Sequence, residues 1–178
     1  MVRNTKILTP KQVTRLEPKV DELRTNLRTA ISKGRSIIYI DEVMFTTSSI
    51  LKMEYSRKFE NIRVDYKSFN LKTTAVIAAI SNEGGLVFYK SYDKSINQER
   101  FIYFCKALRT KVVYRKSTLF IYNLKVHHAI ACKQVYKELD FDYILNVAYS
   151  PQYQPIETIF AFTKAVFRKR KTNAITNG

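Results

Sequence analysis

The first regular pattern of apolar residues along the chain has the spacing of a helix. Starting at Pro18, apolar residues recur three or four positions apart, which is the period of one face of an α-helix. Pro18 suits the first turn of such a helix, and Gly34 suits its end. The apolar positions are Val20, Leu23, Leu27 and Ile31. The pattern predicts that residues 1–35 comprise an aperiodic tail and an amphipathic helix that docks on the domain that follows.

Short apolar runs after this helix predict β-strands. The run from Ser36 to Ile40 is too short to form a helix of its own, and it indicates a strand that is buried on both faces and ends at Asp41. The runs 73–80 and 86–90 are joined by five residues that include two glycines, which predicts a hairpin. Residues 43–51 are interpreted as a further strand, and residues 52–72, which lack a convincing period, as loop and irregular strand.

The second half of the chain alternates between strand and helix patterns. Asn97 is a good N-cap, with Glu99 in the first turn of the helix that it opens. Strands are predicted at 119–122 and 143–147, with a helix between them and another that starts at Pro155. This order favours an α/β fold in which helices cover a sheet. We expect one domain over residues 36–171 and a polar tail over residues 172–178.

The net charge of the chain indicates which class of partner molecule it favours. With 31 basic and 15 acidic residues, the formal net charge is +16 at pH 7, which favours a polyanion. DNA or RNA is the natural candidate, and acidic protein subunits of a large assembly are the alternative. No apolar run approaches the roughly 18 residues of a membrane span. A basic and aromatic segment at 57–72 is either a further contact for a nucleic-acid backbone or a solvated loop.

The two cysteines indicate the redox environment in which the protein is expected. Cys105 and Cys132 are isolated and lack the spacing of a zinc site, so we interpret them as small buried hydrophobes in a reducing environment. The protein is therefore expected inside the cell. The first sixteen residues are basic and contain no acid, which is compatible with an organelle address, so nucleus and mitochondrion are not distinguished.

Two carboxylates stand where predicted elements end or begin. Asp41 follows the buried strand, and Glu157 begins the last helix after a turn that contains two prolines. Cleaving and joining phosphodiesters with two metal ions needs several carboxylates at one point, because each Mg²⁺ takes oxygen ligands. Structural roles explain the same residues: Asp is common at the end of a strand, and Glu in a first helical turn stabilises the helix by about 0.3–1 kcal/mol.

A longer pattern between residues 37 and 164 favours the chemical interpretation. Asn123 and His127 follow a strand, and the chain then reads Ser-Pro-Gln-Tyr-Gln-Pro-Ile-Glu over residues 150–157. This resembles the catalytic domain of mariner-type and related insertion-sequence DDE transposases, which read Asp-Asn-x-x-x-His and then Ser-Pro-x-x-Asn-Pro-Ile-Glu. The resemblance implies a ribonuclease H-like fold, a mixed central sheet flanked by helices. It also implies DNA cleavage and strand transfer that depend on magnesium or manganese.

The second acid of that family is absent from this chain. Tyr122 stands in its place, and the 34 residues between Tyr122 and Glu157 are the interval that many mariner-type enzymes have between their second and third acids. A phenol with a pKa of about 10 is neutral at pH 7 and supplies no anionic oxygen. Asp41 and Glu157 are thus remnant acids that would bind a metal only in an active protein, and no cofactor is expected. Gln154 similarly stands where the family usually has Asn.

Basic residues near these positions are candidates for contact with nucleic acid. Lys164 lies seven residues after Glu157, hence on nearly the same helix face. The candidates are Lys125, His127, Lys164, Arg168, Lys169, Arg170 and Lys171. Two other interpretations stay open: His127 and His128 as polar surface residues at the start of a helix, and the cations at 168–171 as favourable partners of a helix C-terminus.

Two functions are compatible with this pattern. The first is a domesticated, transposase-derived pseudoenzyme that serves as a nucleic-acid-binding or structural subunit of a larger complex. The second is an active or partly active metal-dependent transposase or endonuclease. Mariner-type transposases carry helix-turn-helix modules before the catalytic domain, whereas a single predicted helix precedes the Asp41 strand here. This difference and Tyr122 favour the first function.

Overall fold

The computed structural model describes residues 9–46, 73–112, 116–124, 127 and 129–176. The described helices are α1 (Pro10–Ser32), α2 (Gln98–Arg109), α3 (Ile130–Glu138) and α4 (Ile156–Thr176). The strands are β1 (Ser36–Phe45), β2 (Thr74–Ser81), β3 (Gly85–Tyr92), β4 (Ser117–Ile121) and β5 (Phe141–Leu145). One turn of 3₁₀ helix, Pro151–Tyr153, precedes α4.

The five described strands form one mixed sheet in the order β3-β2-β1-β4-β5. The hairpin of β2 and β3 adds to β1 in antiparallel fashion, whereas β4 and β5 run parallel to β1. Parallel neighbours need crossover connections, and α3 supplies the one between β4 and β5. The carboxyl ends of β4 and β5 therefore lie at the same end of the sheet. The end of β4 lies beside the middle of β1.

Helices cover both faces of this sheet. α2 and α3 pack on one face, where Phe101, Phe104 and Tyr136 are completely or almost completely buried. On the other face, α1 packs beside Phe120 through Leu16, Leu23 and Ala30, and α4 packs farther along β1 and β2. The fold is thus the α/β sheet layered by helices that the order of patterns predicts. α1 docks on the sheet, as its apolar stripe predicts.

α1 begins eight residues before the predicted start at Pro18. Thr9 and Gln12 form a capping box, in which the Thr9 side chain accepts from the Gln12 N–H and the Gln12 side chain accepts from the Thr9 N–H. Pro10 occupies the first turn, the position that the pattern assigned to Pro18. Pro18 is inside the helix, where it lacks the N–H that would bond to the fourth residue before it.

β1 continues past the predicted strand end at Asp41. β2 pairs with it as far as the Phe45–Thr74 position, although β4 pairs with it only as far as the Ile40–Ile121 position. Val43 is buried, and the Phe45 ring lies 5.0 Å from the Phe167 ring, so the extension also contributes to the core. Residues 43–45 therefore belong to β1 and not to a separate strand, while residues 47–72 lie outside the described part.

Other predicted elements are present with small shifts in their ends. The hairpin turns at Asn82–Gly84, and Gly85 takes a positive φ of 72° that glycine adopts without strain. The Asn97 side chain caps α2 by accepting from the Arg100 N–H. α4 continues to Thr176, so most of the expected polar tail is helical. Cys105 and Cys132 are buried as free thiols, and burial raises the pKa of both.

Candidate functional site

Asp41 and Tyr122 lie side by side on adjacent strands. The pairing of β1 with β4 ends at Ile40 and Ile121, and each of these residues is followed directly by one of the candidates. Asp41 is paired with Ala78 of β2, whose side chain belongs to the apolar cluster beneath α4. On β4, Phe120 packs under α1, and the alternation of side chains puts Tyr122 on the same face. Both side chains are half-buried.

The first turn of α4 brings Glu157 to this point. Gln154, three residues earlier, is 1% exposed, and its Nε2 donates to the Ile40 carbonyl at 2.9 Å. Ile156 is fully buried against β1 and β2 in the same apolar cluster as Val43. Because Ile40 immediately precedes Asp41, this hydrogen bond holds the start of α4 against the strand that carries Asp41. Asp41, Tyr122 and Glu157 are called the acid corner below: the first two follow the paired residues Ile40 and Ile121, and the third lies in the first turn of the helix that packs on β1.

Replacing Gln154 by alanine should destabilise the protein, because the Ile40 carbonyl would lose its buried hydrogen bond to the turn. The expected loss in the free energy of unfolding is about 1–3 kcal/mol, the usual cost of leaving a buried polar group unpaired. Chemical denaturation followed by circular dichroism would measure it. Gln152→Ala is the matched control, because Gln152 is exposed in the same turn. Equal losses for the two variants would show that the hydrogen bond does not hold the turn.

The carboxylates near Asp41 in the described part of the chain do not take the place of the acid for which Tyr122 stands. Glu42 follows Asp41 in β1, so its side chain points to the opposite face, where its Oε1 lies 3.6 Å from His127 Nε2. Asp142 lies near the start of β5, at the end of the strand away from the acid corner, and its Oδ2 pairs with Arg35 Nη2 at 3.1 Å. Asp140 precedes β5 and is farther still from that corner. The acid corner therefore holds two carboxylates and a phenol.

His127 is a core residue, which contradicts its prediction as a surface contact for nucleic acid. It is 2% exposed, and its ring packs on Phe101 with 4.3 Å between the centroids. Nδ1 lies 2.7 Å from the Tyr122 carbonyl, and Nε2 has no hydrogen-bond partner among the described residues. Since Tyr122 is the residue beside Asp41, the His127 ring fixes the backbone of the acid corner from the opposite face.

Two further residues, Asn146 and Gln154, support the end of the sheet at which β4 and β5 end. The sequence pattern did not single out either of them for that role. Asn146 is 1% exposed; its backbone N–H donates to the Ile121 carbonyl, and its Nδ2 donates to the Ser150 carbonyl at 3.0 Å. It thereby connects the ends of β4 and β5 to the turn before α4. Gln154 was noted only as a departure from the family pattern. A polar residue inside a turn fixed by two prolines was the available signal for its structural role.

The donor set of the acid corner does not fit a pair of divalent cations. Mg²⁺ and Mn²⁺ prefer anionic oxygen ligands, and a two-metal site uses several of them to hold both ions. No group of three or more His, Cys, Asp or Glu side chains that could hold a metal ion occurs in the described part of the chain. Tyr122 contributes a neutral hydroxyl at the central position. Among the described residues, the acid corner therefore holds two carboxylates and one phenol, fewer anionic ligands than a two-metal site uses.

The basic candidates are distributed along α4 and just before α3. Lys164 and Arg168 are half-buried, and Lys169 and Arg170 are exposed, on the part of the helix beyond the acid corner. The backbone of Lys171 is helical, while Lys125 and His128 lie outside the described residues. No helix in the described ranges is long and apolar enough to cross a membrane.

Solved structures of Mos1 transposase share this fold. The strand transfer complex matches with a TM-score of 0.68 at 18% identity, and the paired-end complex with left transposon end matches with 0.67 at 17%. Each match covers 89% of this chain and 49% of the other. The catalytic domain alone matches with 0.63 at 14% identity, over 96% of this chain and 84% of that domain. This chain thus spans about half the length of the complete transposase chains and most of the catalytic domain.

Comparison of sequences places the chain in a family. No curated protein matches it significantly. A family model described as DDE superfamily endonuclease matches residues 36–176, the whole stretch from the first residue of β1 to the last residue of α4. The fold is that of the Mos1 catalytic domain, which is ribonuclease H-like, as the resemblance in sequence implies. The chain belongs to the DDE superfamily endonuclease family and has the fold of a mariner-type transposase catalytic domain.

Proposed function

We propose that this domain has lost phosphodiester chemistry and serves as a nucleic-acid-binding or structural subunit of a larger complex. The observation that supports the proposal is the register of β1 with β4: Asp41 directly follows Ile40, and Tyr122 directly follows its partner Ile121. At this position a carboxylate would supply an anionic oxygen to a divalent metal ion, whereas a phenol is neutral at pH 7 because its pKa is about 10. Without that anion the residues present would hold metal less tightly.

An active enzyme is the second candidate, and two observations favour it. Asp41 and Glu157 are both retained, and the Gln154 hydrogen bond to Ile40 keeps their elements together. A domain that had lost all need for the acids would be free to lose them. Metal-dependent cleavage by two carboxylates and solvent ligands would then be slow but measurable.

Nicking of supercoiled plasmid DNA in Mg²⁺ or Mn²⁺ separates these candidates. We expect the unmodified protein to nick DNA no faster than its Asp41→Ala and Glu157→Ala variants. Metal-dependent nicking that both substitutions abolish would overturn the proposed loss of chemistry. Glu138→Ala, an exposed acid in the last turn of α3, controls for the loss of a negative charge elsewhere.

Contact with nucleic acid follows from the charge of +16 and from the cations of α4. Structures of Mos1 transposase include paired-end and strand transfer complexes, so this fold accommodates DNA in that protein. By analogy, we place a nucleic-acid backbone along Lys164, Arg168, Lys169 and Arg170. The end of α4 that carries these residues lies beyond the acid corner, so binding would not depend on metal.

Binding to duplex DNA should weaken with salt, with a slope of log affinity against log salt of about −0.9 per phosphate neutralised. Replacing both Lys169 and Arg170 by alanine should make that slope shallower by about 2, because each is expected to neutralise one phosphate. Fluorescence anisotropy over a range of salt concentrations measures the slope. Lys106→Ala with Lys111→Ala, both exposed and far along the chain from α4, should leave it unchanged. Affinity independent of salt would indicate a protein partner instead.

A further inference from the structure

A groove at the β5 edge of the sheet extends as far as Asn123, the residue after Tyr122, and Asn146. β5 is the last strand in the sheet order, so no described strand pairs with its outer side. α1 packs beside it on one face of the sheet and α3 on the other. Between the two helices is an open groove of about 900 Å³, whose floor is formed by β5. We refer to it as the β5 groove.

The walls of the β5 groove are basic. Its charged residues are Arg15, Lys19, Glu22, Lys33, Arg35, Lys133, Lys137 and Asp142. Arg35 and Asp142 neutralise each other through their ion pair. The other five cations are exposed, and no ion pair joins any of them to another residue in the described ranges. Glu22 is thus the one acid that opposes them among the lining residues, and the groove favours an anionic occupant.

The floor of the groove is a regular strand edge. β5 pairs with β4 without a bulge and contains no proline or lysine, three of the features that commonly block an exposed edge; it is short, and its one charged residue, Asp142, is paired with Arg35. Tyr143 is 37% exposed, and Ile144 and Leu145 are half-buried, so apolar side chains flank the backbone. Backbone N–H and C=O groups alternate along such an edge, and an added strand satisfies both kinds.

We propose that the β5 groove binds an extended acidic segment of a partner protein as a sixth strand of the sheet. Addition of a strand to an exposed sheet edge is a common mode of peptide recognition, in which the backbone supplies affinity and the side chains supply specificity. The five residues of β5 offer about 17 Å of edge at roughly 3.3 Å per residue. Acidic side chains on the two faces of the added strand would meet α1 through Arg15 and Lys19 and α3 through Lys133 and Lys137.

The strand edge distinguishes this occupant from a nucleic acid. Phosphate oxygens can accept from the N–H groups of β5 but offer no donor to its carbonyl oxygens, whereas a peptide backbone satisfies both kinds of group. The proposal goes beyond the proposed function, because it assigns to the β5 edge the way in which a structural subunit is held. The proposal rests on the β5 edge and on the charge of the groove, so the presence or absence of cleavage activity neither supports nor contradicts it.

A defined peptide tests the proposal with the full chain. The probe is a fluorescent ten-residue peptide in which pairs of Glu alternate with pairs of Thr, so that acids lie on both faces of an added strand. The comparison peptide has the same sequence with every backbone nitrogen methylated, which keeps the charge and removes all N–H donors for strand pairing. We expect methylation to weaken binding by about tenfold or more, because each lost backbone bond has a measurable cost. NMR should show amide shifts in Phe141–Leu145 on binding.

Paired charge reversals locate the site. Lys19→Glu with Lys133→Glu, one from each wall, should weaken peptide binding by about tenfold, since like charges then face the acids. Arg28→Glu with Lys106→Glu makes the same change in net charge at exposed positions outside the groove and should alter binding less than about twofold.

Three results would overturn the proposal. The first is no binding of the peptide, and the second is equal affinity for the methylated peptide, which would reduce the groove to a patch of charge. The third is displacement of the peptide by ten-nucleotide oligo-dT or oligo-U, together with larger NMR shifts of the β5 amides than the peptide causes. That last result would assign the groove to nucleic acid.

Discussion

Replacing Tyr122 by aspartate should give this protein a divalent metal site that we expect the unmodified chain not to have. The substitution adds a carboxylate directly after Ile121, whose partner Ile40 precedes Asp41, on the face of the sheet against which α4 packs. Loss of a supporting residue outside the ligand set typically costs about 10- to 100-fold in metal affinity, so regaining a direct ligand should exceed that range. Calorimetric titration with Mn²⁺ is the measurement, and the unmodified protein should release no resolvable heat of specific binding.

Two control variants distinguish the effect of the added negative charge from the effect of removing the tyrosine ring. Tyr122→Asn removes the ring and adds no charge, so it should not gain the affinity of Tyr122→Asp. Adding Asp41→Asn to Tyr122→Asp should abolish the gain, because the new carboxylate would lose its anionic neighbour. Thermal stability gives a second readout: a ligand at 100 times its dissociation constant stabilises the folded state by about 2.7 kcal/mol. Tight binding by the unmodified chain would refute the proposed loss of metal, and no gain in Tyr122→Asp would refute the arrangement of the acid corner.

The local parts of this fold were predictable from sequence because their signals are local. The glycines of the β2–β3 turn, the Asn97 cap and the apolar runs of the second half each act within a few residues. The start of α1 was missed because Pro18 was taken as its first turn, although Thr9 and Gln12 form a capping box within the aperiodic stretch. A proline in the first turn and a proline inside a helix are not distinguished by hydrophobic spacing alone.

The arrangement around the acid corner depends on contacts between distant residues. The motif positions identified Asp41, Tyr122 and Glu157, and their spacing in the chain indicated a common register with the family. No pattern in the sequence revealed that Gln154 donates a hydrogen bond to Ile40, 114 residues away. Nor did any pattern reveal that β1 continues beyond the end of its pairing with β4. The burial of His127 was equally hidden, since it requires Phe101 of α2 to pack on the ring. These features exist only after the sheet and helices have assembled.

Replacing Ile156 by alanine should cost about 2–5 kcal/mol of unfolding free energy, the range for removing most of a large aliphatic side chain from a core. Ile156 is fully buried at the start of α4 and packs with Val43, Ala78 and Ile80 beneath that helix. Its loss would leave a cavity where the helix meets the sheet. Urea denaturation measures the change in stability, and hydrogen exchange at the first turn of α4 should accelerate more than exchange in β4.

Ile159→Ala makes the same chemical change one turn later on α4, where the side chain is 41% exposed. It should change stability by less than about 1 kcal/mol, because little apolar surface is lost and alanine is the better helix former. In the Tyr122→Asp background the two variants should also differ in Mn²⁺ affinity: Ile156→Ala should weaken it, since Glu157 is the next residue, and Ile159→Ala should not. Equal affinities would mean that the packing of α4 on β1 does not position Glu157, and that Gln154 alone fixes the carboxylate.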